Sequence, residues 1–295
     1  MTKQLVLIHG RAQEGLDPSD LKKHWLDSWK TGLERNGLEI PLSDEDIRFP
    51  YYGDTLADLV DGEEGDEIAE VIVKGDNAGE AERDFIRSII LETQERIGIS
   101  DEQVDEANDE IVNEKGILNW KWARNVIKAF DYYVPYASST GISLATRDVY
   151  LYLKNPGFQN VVDSGVRSAF DANKETVVVG HSLGSVVAYN LLRREGESLG
   201  WKIPLFITVG SPLAVMAIKD ALHPSNAPAC VEEWFNAMDS RDIVALYPLD
   251  ATNYPDAQPI ENKTDVDNET TNRHGILGYL SDPIVAKRIY DAVVA

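Results

Sequence analysis

Apolar and polar positions along this chain alternate between short strand-like runs and longer stretches with helical spacing. Gln4-Leu5-Val6-Leu7-Ile8 is a brief apolar run ending in His9-Gly10, the pattern of a buried parallel strand. After a polar loop, Asp17-Pro18 opens a helix with Leu21, Trp25, Leu26, Trp29 and Leu33 on one side, and Asn36-Gly37 ends it. Residues 46–53 read as a second strand leading into a loop, so the chain begins β-α-β and predicts a parallel sheet. Further strands are expected at 176–181, 203–210 and 232–237, and further helices at 144–154, 159–171, 183–192, 213–222 and 283–294. Residues 250–273 are polar and predict no regular element. The expectation is one α/β domain over 1–295.

The alternation breaks between 54 and 142, which reads as a helical insertion. One helix is predicted near 80–97, with Phe85, Ile86, Ile89, Ile90 and Ile97 on one side, and another over 117–134. The second carries Trp120, Trp122, Val126, Ile127, Phe130 and Tyr133 and is too apolar to lie bare in water. It either packs on the body or caps a cleft. In the second case Trp120 and Trp122, with Tyr51 after the second strand, are candidates to line an apolar substrate pocket.

Charge sharpens the picture of the insertion. The formal net charge is −22, from 50 acidic and 28 basic residues. Residues 54–114 alone hold 21 acidic and 4 basic residues, a net of −17, which leaves −5 for the rest. Such a charge disfavours nucleic acid and anionic lipid as docking partners. At 295 residues and 43% hydrophobic content, the chain can bury a large core, yet no apolar run is long enough to span a bilayer or to form a signal-peptide core. A single cysteine, Cys230, excludes an internal disulfide and fits a reducing compartment, so the cytoplasm is expected.

The chemistry is concentrated at Thr176-Val177-Val178-Val179-Gly180-His181-Ser182-Leu183-Gly184-Ser185. A β-branched run enters G-H-S-L-G and helical spacing follows, which makes a strand, a sharp turn and a helix with Ser182 at the apex. A serine hydroxyl needs a base to take its proton. Of the five histidines, His9, His24 and His181 are poorly placed to reach over Ser182, which leaves His274, in a polar loop before the last helix, and His223 as its alternative. An acid must fix the histidine tautomer and stabilise its charged form. Asp242 and Asp239 both follow the strand at 232–237, and the apolar residues after Asp242 favour its burial. The Leu183 N–H, at the helix start, faces a developing oxyanion. A second donor is expected from the loop after the first strand, at Arg11 or, one residue on, Ala12.

These residues resemble the α/β-hydrolases of the lipase and esterase type. Leu5-Val6-Leu7-Ile8-His9-Gly10, Gly180-His181-Ser182-Leu183-Gly184, Gly210-Ser211-Pro212-Leu213, Asp242-Ile243-Val244 and His274 carry the resemblance. There is no His-Gly-Gly-Gly loop, so the match there rests on His9-Gly10. The resemblance implies a mostly parallel sheet flanked by helices and the triad order serine, acid, histidine. It further implies cleavage of an acyl ester through an acyl-enzyme, without metal or organic cofactor. The substrate is expected to be a small-molecule or lipid acyl ester, met without nucleic acid and without a stable membrane anchor. The same triad also serves a phospholipase or a thioesterase. A non-catalytic fold using its acidic surface to bind a partner is the remaining alternative.

Overall fold

The computed structural model describes residues 3–10, 17–52, 79–108, 112, 115, 119–134, 139–254 and 259–295. Six strands form one sheet: β1 (Lys3–Ile8), β2 (Ile47–Arg48), β3 (Glu175–His181), β4 (Ile203–Val209), β5 (Val231–Ala237) and β6 (Glu261–Lys263). Their order is β2-β1-β3-β4-β5-β6, and every pairing is parallel. The order reverses once, between β1 and β3, and the carboxyl ends of parallel strands at such a reversal open a crevice.

Side chains of the inner strands are apolar on both faces, as a sheet covered on both sides requires. Leu5, Leu7, Val177, Val179, Leu205 and Ile207 share a core with Trp25 and Trp29 of helix α1 (Pro18–Glu34) and with Ile289 of the last helix (Pro283–Val294). Val6, Ile8, Val178 and Phe206 point the other way, into a core with Val186 and Val187, which follow the elbow. Asp17 and Asp282 cap these two outer helices, each followed by proline at the first helical turn.

Between β2 and β3 run α2 (Glu80–Ile97), α3 (Asp101–Glu106), α4 (Trp120–Tyr133), α5 (Ser139–Lys154) and α6 (Pro156–Arg167). Helix α2 stops at Gly98, whose left-handed backbone lets its N–H close on Gln94. Ile86, Ile90, Val104, Trp122, Val126 and Phe130 bury one another in a third, smaller core. This explains the apolar character of α4, which packs chiefly on other helices of the insertion. The link to the body includes Ile243, which belongs to the same cluster.

After the elbow come α7 (Leu183–Leu191), α8 (Met216–Ala221), α9 (Ile276–Leu280) and α10 (Pro283–Val294). Two expectations need correction. The second strand is only Ile47–Arg48: Asp44–Asp46 forms a 3₁₀ turn before it, and β1 pairs with it at those two positions alone. The polar stretch 250–273 contributes β6, an edge strand paired only with β5 and so under no demand for apolar side chains. Among the described residues, no helix is long and apolar enough to cross a membrane.

Candidate active site

Ser182 stands between β3 and α7, with φ 53° and ψ −127°, a backbone conformation that costs a non-glycine residue on the order of 1–3 kcal/mol. The turn is held around it. The Ser182 N–H donates to the Val209 carbonyl at 3.2 Å, and the Ser185 hydroxyl donates to the Ser182 carbonyl at 2.6 Å. Helix α7 sits so close to β1 that a methyl at Gly184 would strike the carbonyl oxygens of Ile8 and His9. That close approach is what the glycine of the elbow permits.

The Ser182 Oγ lies 2.9 Å from Nε2 of His274, and His274 Nδ1 lies 2.8 Å from Oδ2 of Asp242. Those partners require Nδ1 to carry the proton and leave Nε2 free to accept from the serine. Asp242 follows β5, and its carboxylate is fully occupied. Oδ2 also accepts from the Tyr279 hydroxyl at 2.6 Å, and Oδ1 accepts the N–H groups of Val244 (2.9 Å) and Ala245 (3.3 Å). Burial alone would raise the Asp242 pKa. The adjacent His274 and the hydrogen bonds from His274, Tyr279 and Val244 outweigh it and hold the carboxyl below its ordinary value.

Asp239 is also buried, but it serves the turn. It accepts from Arg241 Nε (2.9 Å) and Nη2 (2.7 Å) and from the Asn268 N–H (2.9 Å), while its carbonyl takes the Asp242 N–H. His223 lies exposed just past the end of α8, and the histidine bonded to Ser182 Oγ is His274. Of the paired alternatives read from the sequence, the hydrogen-bonded chain therefore contains Asp242 and His274.

Three residues around this chain carry no signal of that role in the sequence. His181, inside the elbow, donates from Nε2 to the His274 carbonyl at 2.8 Å, and its ring lies 4.8 Å from the His274 ring. Burial, reinforced by the neighbouring His274, lowers its pKa to about 3, so it stays neutral. Tyr279, in the short helix α9, donates to Asp242 while its oxygen accepts the Asp239 N–H at 3.2 Å. Gly210, at φ +56°, lies under the His274 ring, where a side chain would be both strained and crowded.

Leu183 is the first residue of α7, where an N–H has no intrahelical carbonyl to bind. Arg11 and Ala12, the expected second donors, lie outside the described residues. The segment leading to them does reach the serine: a methyl on Gly10 would come within 2.9 Å of the Ser182 Cβ. His9 is buried, its Nδ1–H bound to the Gly10 carbonyl and its Nε2 accepting the Tyr52 N–H. Burial lowers its pKa to about 4.

Two cavities flank the triad. A narrow slot reaches Ser182, lined by Ile89, Thr93, Val149, Pro212, Val215 and Ile218 among others, with about 20 Å³ open to a water-sized sphere. The second, of about 580 Å³, is lined in part by Arg96, Tyr133, Arg241, Asp242 and Arg273. Ile243 and Leu246 belong to the walls of both. Of the three aromatic residues expected to line a substrate pocket, only Trp122 is shown to lie elsewhere. Trp122 is buried in the insertion's own core, and Tyr51 packs with its ring 5.4 Å from His9. The side chain of Trp120 lies outside the described residues. Among the described residues, no group of three His, Cys, Asp or Glu side chains is arranged to hold a metal ion. Compared with protein-family models, with curated proteins and with solved structures, the chain finds no match in any of the three.

Proposed function

We propose that this chain is a serine hydrolase of the α/β-hydrolase type that cleaves an acyl ester. The observation that carries the reading is the continuous chain Ser182–His274–Asp242, at 2.9 Å and 2.8 Å, assembled on a strained strand-to-helix turn. Its placement in the sheet supports the same reading. The nucleophile follows β3, the acid follows β5 and the base follows β6, so serine, acid and histidine occur in that order along strands ordered β2-β1-β3-β4-β5-β6.

His274 Nε2 takes the Oγ proton as Ser182 attacks the ester carbonyl carbon, and Asp242 stabilises the imidazolium that results. The carbonyl oxygen becomes an oxyanion near the Leu183 N–H. The tetrahedral intermediate collapses with cleavage of the carbon–oxygen bond, and His274 returns the proton to the departing alcohol. Water then attacks the acyl-enzyme and gives its proton to His274; as the second tetrahedral intermediate collapses and the acid leaves, His274 returns that proton to Ser182 Oγ. The apolar slot beside Ser182 marks the acyl side, and its walls must part for a chain to enter, since only about 20 Å³ is open. The cell compartment that suits this enzyme is the cytoplasm. Cys230 is a lone thiol whose pKa burial pushes up to about 11, so it needs no oxidising environment and offers little thiolate.

The deciding experiment is fluorophosphonate labelling together with hydrolysis of a panel of p-nitrophenyl esters. Labelling should map to Ser182 and disappear in Ser182→Ala, with ester hydrolysis lost alongside. A folded wild-type protein that neither labels nor turns over any ester would overturn the reading.

A further inference from the structure

The slot beside Ser182 accounts for the acyl part of an ester and leaves the 580 Å³ cavity unexplained. Three guanidinium-bearing side chains converge on that cavity from separate segments: Arg96 in the last turn of α2, Arg241 after β5, and Arg273 immediately before His274. This occurs in a chain of net charge −22, where a random surface recess would be expected to gather carboxylates.

Two of the three are fixed by partners on the page. Arg241 is clamped by Asp239 through Nε (2.9 Å) and Nη2 (2.7 Å) and by Asp267 through Nη2 (2.6 Å). Arg273 donates from Nη1 to the Asn268 carbonyl at 2.8 Å and reaches Asp267 at 3.5 Å. Arg96 differs. Its Nε donates to the Leu246 carbonyl at 2.9 Å and its guanidinium lies over the Tyr247 ring at 5.4 Å, but among the described residues no carboxylate comes within 4.0 Å of it. Asp239 and Asp267 pair with Arg241 and Arg273, and Asp242, ionised beside a neutral His274, brings the carboxylates around the cavity to three as well. What sets Arg96 apart is local: its planar donor fork is oriented through Nε and, among the described residues, has no carboxylate of its own. That geometry suits bidentate capture of a phosphate or a carboxylate.

Its location says which end of a substrate it serves. Arg273 is the neighbour of His274 in sequence, and Asp242 holds the His274 ring. His274 delivers the proton to the leaving alcohol, so that alcohol departs on the side of the histidine. The acyl slot lies across the shared wall of Ile243 and Leu246. We infer that the arginine-lined cavity binds an anionic group, phosphate or carboxylate, on the alcohol side of the ester, so that the substrate joins an apolar acyl chain to an acidic head. The assignment of sides rests on the hydrolase reading above; the anion site itself rests on the arginines.

The probes are soluble butyrate esters of phenols bearing a para carboxylate, a para phosphate or a neutral para carboxamide. Wild-type protein should favour the anionic esters in kcat/KM, mainly through KM, and the stronger of the two anions identifies the head group. One charge-assisted arginine contact predicts that Arg96→Gln lowers the anionic-to-neutral ratio about tenfold, with partial recovery in Arg96→Lys. Equal kcat/KM for anionic and neutral esters in the wild type, or a ratio untouched by Arg96→Gln, would overturn the inference while leaving the hydrolase reading intact. A binding measurement separates the two ideas from the other direction. By calorimetry, 4-(butyrylamino)benzoate should bind Ser182→Ala protein and bind it about tenfold more weakly when Arg96→Gln is added. Binding without turnover of any ester by the wild type would sustain the anion site and sink the hydrolase; no binding to a folded protein would sink the site.

Discussion

At the scale of single residues, the site depends on a carboxylate that stays charged although buried. Four donors converge on Asp242, two from side chains and two from the backbone, and the Tyr279 hydroxyl shares Oδ2 with His274. Asp242→Asn would reverse the hydrogen-bond demand at His274 Nδ1 and select the wrong tautomer, so kcat should fall on the order of 10⁴-fold. Tyr279→Phe removes one neutral donor and leaves the ring, and a drop of about tenfold in kcat is expected, read from ester kinetics alongside a melting curve that shows the fold retained. The buried histidines make a separate prediction about acid. His9 and His181 have pKa values lowered to about 4 and about 3, so between those values and about 6.5 the unfolded chain binds protons that the native protein does not. Stability therefore falls as pH drops through that window, by on the order of 3 kcal/mol for His9 alone at full development. Asp242, with its pKa lowered, contributes stability above its unfolded value and loses it as pH falls through its folded one, which adds in the same direction. Melting temperature measured from pH 7 to pH 5 should decline steadily; a flat profile would contradict the neutral, buried state of both rings.

At the scale of elements, the slot beside Ser182 is shaped by pieces that belong to different parts of the chain. Ile89 comes from α2, Val149 from α5, and Val215 and Ile218 from the segment after β4. With about 20 Å³ open, the slot is close to filled by its own walls, so the size of those side chains sets how much acyl chain can enter. Ile89→Ala removes buried methylenes next to the slot. At about 0.8 kcal/mol for each further substrate methylene accommodated, the preference for a p-nitrophenyl octanoate over the butyrate should rise several-fold to about tenfold. The same change should lower stability by roughly 2–5 kcal/mol, and Ile89→Val supplies a milder version for kinetics. An unchanged chain-length preference in a folded variant would remove α2 from the substrate's path. These elements also show what a sequence displays and what it hides. The strand, turn and helix of the elbow are legible because β-branched residues, glycine spacing and helical periodicity all agree locally, and Asp242 and His274 follow from their order along the chain. The apolar face of α4 is legible too, but its target is not. Periodicity reveals that Trp122 is buried without revealing that Ile86, Val104 and Phe130 bury it. Strand β6 is Glu261–Lys263, polar and at an edge, and α9 has only five residues, too few for a period to emerge. Tyr279 and the three arginines are ordinary in their local sequence. Their roles arise from contacts between positions far apart in the chain, which no local pattern records.

At the scale of the whole molecule, charge and site pull in opposite directions, and their ranges decide the outcome. A net charge of −22, with −17 carried by residues 54–114, opposes the approach of an anion at long range. The arginines line an open recess, with Arg96 exposed and the Arg241 side chain 50% exposed, and act only once the ligand is within hydrogen-bond reach. Salt screens exposed charges beyond a Debye length of about 10 Å at 0.1 M, and it screens close, partly buried contacts much less. Added salt should therefore relieve the long-range repulsion and leave most of the short-range attraction. For a butyrate ester with an anionic leaving group, kcat/KM is expected to rise several-fold between about 10 mM and about 200 mM sodium chloride, whereas the carboxamide ester should hardly respond. Should the anionic ester instead react more slowly as salt increases, the arginine-lined cavity would govern the encounter as well as the contact, and the acidic insertion would lie where an incoming substrate does not feel it.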